Sequence, residues 1–159
     1  MDKTKKNKFK LKQIEALIRT SEYAELLSEL STDIYTESKK AENEASIVSI
    51  FELELFSFIK ETLGLKYYPE KEKTINTERH ISKGRIDSKI GALVIEFKHT
   101  SKLKTTEHKD KASSQLVDYL KGLNDKHNLD YFGIVTDGTQ CKLINIENGI
   151  INEGAFEKL

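Results

Sequence analysis

Asp87, Glu96 and Lys98 stand in GRIDSKIGALVIEFKHT (84–100), a stretch that otherwise reads as two apolar strands. A charge inside a strand is costly unless a partner offsets its desolvation. Gly91-Ala92 suits a two-residue type II′ turn, with Gly at the first central position. That turn sets the register. Ile90 faces Leu93, Ser88 faces Ile95 and Ile86 faces Phe97, and this apolar face is expected to pack on the core. The other face pairs Lys89 with Val94, Asp87 with Glu96 and Arg85 with Lys98. Opposed residues have Cβ atoms about 4.5–5.5 Å apart, so Asp87 and Glu96 would sit side by side. Adjacent carboxylates resist joint ionisation, and a divalent cation relieves the repulsion. Hard oxygens at this spacing suit Mg²⁺, which also takes phosphate oxygens. Lys98 shares a face with Glu96 and could orient a water or offset charge developing on a phosphodiester. The residues alone leave a second reading open, in which the same face is simply solvated. With 33% charged residues, a Glu-x-Lys triplet carries little by itself, and Glu107-His108-Lys109 is another.

The elements that must position these side chains follow from the apolar spacing. Residues 1–12 (MDKTKKNKFKLK) read as a flexible basic arm without the apolar centre of a signal peptide. Ile14, Leu17, Ile18, Leu26, Leu27, Leu30 and Ile34 recur at helical intervals and predict one or two helices over 13–35. TESKKAENEA is expected to connect. Residues 44–64 predict a heavily buried helix capped by Gly64. LKYYP (65–69) and KTINTERHI (73–81) read as strands before the hairpin. Residues 101–111 could form a mobile loop. A helix over 109–127 aligns Ala112, Leu116, Leu120 and Leu123, and residues 130–150 predict two strands joined at Asp137-Gly138. This order predicts an α/β fold with a mixed sheet.

The 159 residues suit one globular domain, read as a basic arm and helical extension (1–38) before the main unit (39–159). The net charge of zero neither marks nor excludes a nucleic-acid partner. Cys141 is the only cysteine, which excludes an internal disulfide and a thiolate zinc cluster. His80, His108 and His127 are scattered, and His99 is expected to be structural, pointing away from Lys98. No apolar run approaches the roughly 18 residues of a membrane span. A cytoplasmic setting is expected.

GRID (84–87) with IEFK (95–98) resembles the PD-(D/E)xK nuclease superfamily, whose Asp opens the second core strand and whose Glu-x-Lys lies on the third. Ile86 stands where a Pro is usual. Many members add a Glu from the first core helix. Glu44 is the first candidate, because it shares a stripe with Ile47, Val48, Phe51 and Leu55, and Glu52 is the second. Gln115 and Tyr119 match a Gln-x-x-x-Tyr motif of one branch, although alone they read as a surface Gln and a half-buried Tyr. YFGIVTDGTQCKLINIENG is similar to the strand pair closing the N-terminal nuclease domain of type I, type ISP and type IIG restriction enzymes. The resemblance spans about residues 40–150.

It implies a restriction-endonuclease-like αβββαβ core, here with an extra N-terminal helical segment. It implies a Mg²⁺-dependent DNA nuclease, endonuclease rather than exonuclease, in which Mn²⁺ can substitute. Glu44, Asp87, Glu96 and the Phe97 carbonyl would hold metal, and Lys98 would orient the attacking water. Gln115 and Tyr119 would support the site and grip the substrate backbone. Lys102 and Lys104, with Lys109, Lys111 and the N-terminal arm, would contact phosphates without reading sequence. Such enzymes carry methyltransferase or helicase domains, so the chain is expected to be the nuclease part of a restriction-modification enzyme or a small stand-alone protein. One active site cuts one strand, which raises a homodimer. The alternative is a non-catalytic nucleic-acid-binding or protein-interaction module on the same fold.

Overall fold

Polar caps fix where the helices begin. The computed structural model describes residues 3–65, 70–75 and 84–159, with side chains described for 10–65 and 88–159. Helix α1 (Lys3–Leu17) is followed by α2 (Ser21–Ser38), capped by Thr20, whose hydroxyl accepts from the Tyr23 N–H. Helix α3 (Glu44–Glu61) is capped by Asn43, which accepts from the Ser46 N–H at 3.0 Å. At its other end the cap is Thr62, whose N–H donates to the Phe58 carbonyl at 2.8 Å, and not the expected Gly64, which lies two residues on with φ +58°. Helix α4 (Thr106–His127) starts at a Thr105 cap and stops at Asn128, with φ 50°.

The strands are β1 (Glu70–Ile75), β2 (Gly84–Ile90), β3 (Leu93–Phe97), β4 (Tyr131–Thr136), β5 (Gln140–Glu147) and β6 (Ile150–Lys158). They form one six-stranded sheet in sequential order. Only the β3–β4 seam is parallel; the other neighbours are antiparallel. A parallel pair needs a crossover, and α4 supplies it. The molecule is therefore α/β with a mixed sheet. The hairpin register is as the turn dictates: Ser88 opposes Ile95, Lys89 opposes Val94 and Ile90 opposes Leu93. Gly91 takes φ +59°, as the first position of a II′ turn demands.

Two cores lie on opposite faces of the sheet. One packs α4, through Ala112, Leu116, Leu120 and Leu123, against Val94, Tyr131, Val135, Ile144 and Ile146. The other packs Ile34 of α2 and Ile47 and Phe51 of α3 against Ile95 and Phe97. Strand β3 is thus covered on both faces.

Several sequence expectations change. Residues 3–12, expected as an arm, are helical, and Thr36–Ser38 extend α2 instead of connecting. Helix α3 buries one stripe only, leaving Leu53 67% exposed. Leu65 lies outside any strand, and residues 66–69 of LKYYP lie outside the described residues. Of KTINTERHI, residues 73–75 belong to β1 and residues 76–81 also lie outside the described residues. Segment 101–111 is a 3₁₀ turn (Thr100–Lys102), a buried Leu103 and the first turns of α4. A third strand, β6, follows the expected pair through Asn148-Gly149, both with positive φ (50° and 76°), as in a type I′ turn. Among the described residues no helix is long and apolar enough to cross a membrane.

Candidate active site

Side chains alternate along a strand, so Val94, Glu96 and Lys98 share the face that α4 covers. Glu96 pairs with Val135 of β4 and is 1% exposed. It is ion-paired with Lys98, whose side chain is 18% exposed. The Lys98 N–H donates to the Thr136 carbonyl at 2.9 Å and carries the parallel ladder one residue beyond β3. The solvated-face reading therefore fails for Glu96. A carboxylate this deep is sustained by a cation beside it, because attraction at contact distance is far stronger there than in water.

Asp87 is in β2, next to Ser88, whose partner Ile95 is next to Glu96. Its side chain lies outside the described residues, as do those of Arg85 and Ile86. Phe97 is fully buried, with its ring against Phe51 of α3, 5.1 Å between centroids at 65°. Its backbone lies between Glu96 and Lys98, on the strand that carries the ion pair.

Helix α3 begins beside the end of β3. His99 Nδ1 accepts from the Ser101 N–H, which leaves Nε2–H to donate to the Ala41 carbonyl at 3.2 Å. His99 is a structural link between the two elements, as its position after Lys98 suggested. Glu44, the first residue of α3, is half-buried on the stripe of Ile47 and Phe51. A carboxylate there also suits the helix N-terminus. Glu52 lies eight residues on, about 12 Å along the axis, beside Phe51. Among the described residues no three His, Cys, Asp or Glu side chains converge on one metal position; the Asp87 carboxylate is outside that set.

On α4 the Gln115 amide donates to the Tyr119 hydroxyl at 2.9 Å, so the i, i+4 pair is one unit. Tyr119 is 2% exposed, in the same core as Val94, and Gln115 is half-buried beside it. Both thus lie on the layer that faces Glu96. Lys102, Lys104 and Lys111 are exposed, while Lys109 lies over the Phe156 ring at 4.9 Å. The described residues pair Glu96 with Lys98 on the face that α4 covers and Gln115 with Tyr119 on α4 itself, and set the start of α3 beside the end of β3.

No family model, curated protein or solved structure matches the chain.

Sequence reasoning passed over Asp137 and Gln140. Asp137 is 1% exposed at the end of β4, and its Oδ1 accepts from the Thr139 N–H, the Thr139 hydroxyl and the Gln140 N–H at 2.8–3.1 Å. Asp-Gly read only as a turn, although an Asp bonding the backbone two and three residues on is the device that makes such turns. Cys141 is no nucleophile candidate: burial first, and then Glu157, push its thiol above the ordinary value.

Proposed function

We propose that the chain is a metal-dependent nuclease that hydrolyses DNA phosphodiester bonds, with a restriction-endonuclease-like core. One observation carries the reading: a carboxylate 1% exposed, inside the strand on the parallel seam, ion-paired with a lysine two residues on. The order α3, β1, β2, β3, α4, β4 supports it, being the αβββαβ order that the motifs imply. The donor set fits a hard divalent ion. Glu96 supplies a buried carboxylate, Asp87 a neighbouring strand position, Glu44 a half-buried carboxylate at the mouth of α3, and Phe97 a carbonyl between the paired residues. Bound Mg²⁺ or Mn²⁺ would neutralise phosphate charge and make a bound water more acidic.

The protein's own groups do the remaining work. Glu96 and Asp87 hold the metal side of the site. The Lys98 ammonium orients the attacking water and offsets charge on the phosphoryl oxygens as the water oxygen forms the new P–O bond and the bond to the leaving oxygen breaks, the water losing a proton to solvent and the leaving oxygen taking one up. The burial of Glu96 keeps competing water from that face. Tyr119, 2% exposed, braces Gln115 from within the core, half-buried Gln115 is the member of the pair that can meet the substrate backbone, and Lys102 and Lys104 meet phosphates. In a larger restriction-modification enzyme, methyltransferase or helicase domains would supply recognition, and a second copy would be needed to cut both strands.

Cleavage of supercoiled plasmid with Mg²⁺ or Mn²⁺ tests this. The unaltered chain is expected to nick it, and Asp87→Ala and Lys98→Ala are expected to leave it intact. Equal cutting by Asp87→Ala would remove the proposed site. An inert wild type showing no metal-dependent gain in Tm would favour the non-catalytic module.

A further inference from the structure

Lys102 and Lys104 are exposed, yet the residue between them is fully buried. The Leu103 side chain enters the core under α4. Its carbonyl accepts from Gln140 Nε2 at 3.2 Å, and the same nitrogen donates to Asp137 Oδ2 at 3.1 Å. Both partners are acceptors, which fixes the amide orientation and uses both of its N–H bonds. Asp137 is in turn locked by three donors on its other oxygen. A continuous chain of hydrogen bonds therefore runs from a buried carboxylate, through Gln140, to the backbone between the two lysines.

We infer that Gln140 is a positioning residue for nucleic-acid binding: it clamps the backbone at Leu103 and so presents Lys102 and Lys104 as a fixed pair to successive phosphates. This rests on the nuclease reading of the site. The physical reason is preorganisation. An unpinned loop loses backbone freedom when it docks, about 1–2 kcal/mol for each residue fixed, and a pinned loop has lost it beforehand. The loop is anchored at each end as well, by His99 on Ala41 and by the Thr105 cap of α4. Between these ends the buried Leu103 side chain holds the middle in the core, and the Gln140 bond fixes the orientation of its backbone.

The experiment measures duplex DNA binding without divalent metal, across a salt series, for wild type, Gln140→Leu, Lys102→Ala/Lys104→Ala and the triple variant. Each phosphate contact contributes about 0.9 to the slope of log affinity against log salt. Gln140→Leu is expected to weaken binding several-fold and to lower the slope by about one unit, with both lysines still present. In the triple variant it is expected to add nothing, because the groups it acts through are gone. A residue with only a structural role would weaken both backgrounds equally, and that additivity would overturn the proposal. So would wild-type affinity and slope in Gln140→Leu. Wild type that binds duplex and loses nothing on Gln140→Leu defeats this proposal alone, and wild type with no salt-dependent binding also defeats it, while the nuclease reading stands or falls by plasmid cleavage with metal.

Discussion

Under the proposed function Glu96 and Lys98 join stability and chemistry in one pair, and the two can be separated by substitution. Lys98→Ala leaves a carboxylate that is 1% exposed without the ammonium beside it. Breaking a buried pair from one side costs about 3 kcal/mol. Glu96→Gln/Lys98→Met removes both charges and keeps the volume. The double variant is expected to unfold in urea at a higher midpoint than Lys98→Ala, while cutting no better. A midpoint equal to or below that of Lys98→Ala would show that the pair is solvated in practice. Cleavage by the double variant would show that the pair has no part in the chemistry.

At the scale of elements, the tightest joint is where α2 meets the β4–β5 turn. A Cβ at Gly138 would lie 1.9 Å from Ser38 Oγ and 2.4 Å from Ser38 Cβ, and its φ of +77° is one that side chains resist. Gly138→Ala is expected to cost about 2–4 kcal/mol from the two effects together. Gly149→Ala, also at positive φ (+76°) but with nothing within 4 Å, is expected to cost only about 1 kcal/mol. Thermal melts of the two variants check the difference, and Ser38→Gly is expected to restore part of the Gly138→Ala loss. This joint was invisible in the sequence, because Ser38 sat in a polar run that read as a connection. The β2–β3 hairpin was legible for the three pairs next to its turn, which Gly91-Ala92 and strict alternation set, and the expected Asp87–Glu96, Ile86–Phe97 and Arg85–Lys98 pairs are not among them. The α4 stripe was legible for the same reason at helical period. Strand β6 was missed although Asn148-Gly149 announced it: INEGAFEK is too polar to read as a strand, and the turn chemistry outweighed its composition. The burial of Glu96 could not be read, because it depends on α4 folding back over β3.

At the scale of the molecule, the metal proposal makes a thermodynamic demand. A ligand that binds only the folded state stabilises it, by about 2.7 kcal/mol at one hundred times its Kd. Mg²⁺ or Mn²⁺ is expected to raise Tm in wild type and not in Asp87→Ala, and a rise of the same size in both would place the ion elsewhere. Helix α2 is part of this whole: Ile34 and Ser38 are buried, Ile34 in the core that holds Ile95 and Phe97. The sequential strand order also governs how the chain comes together. Among the described residues the sheet is two antiparallel halves of consecutive strands, β1–β3 and β4–β6, whose strands pair with each other along β3 and β4. Such halves form from near neighbours, whereas this seam waits for the whole of α4 to be ordered. The loop-closure entropy of joining the halves falls on that step, which makes it the slow event in folding. Glu96 lies on the seam, paired with Val135, so its β4 neighbour is in place only once the two halves have joined.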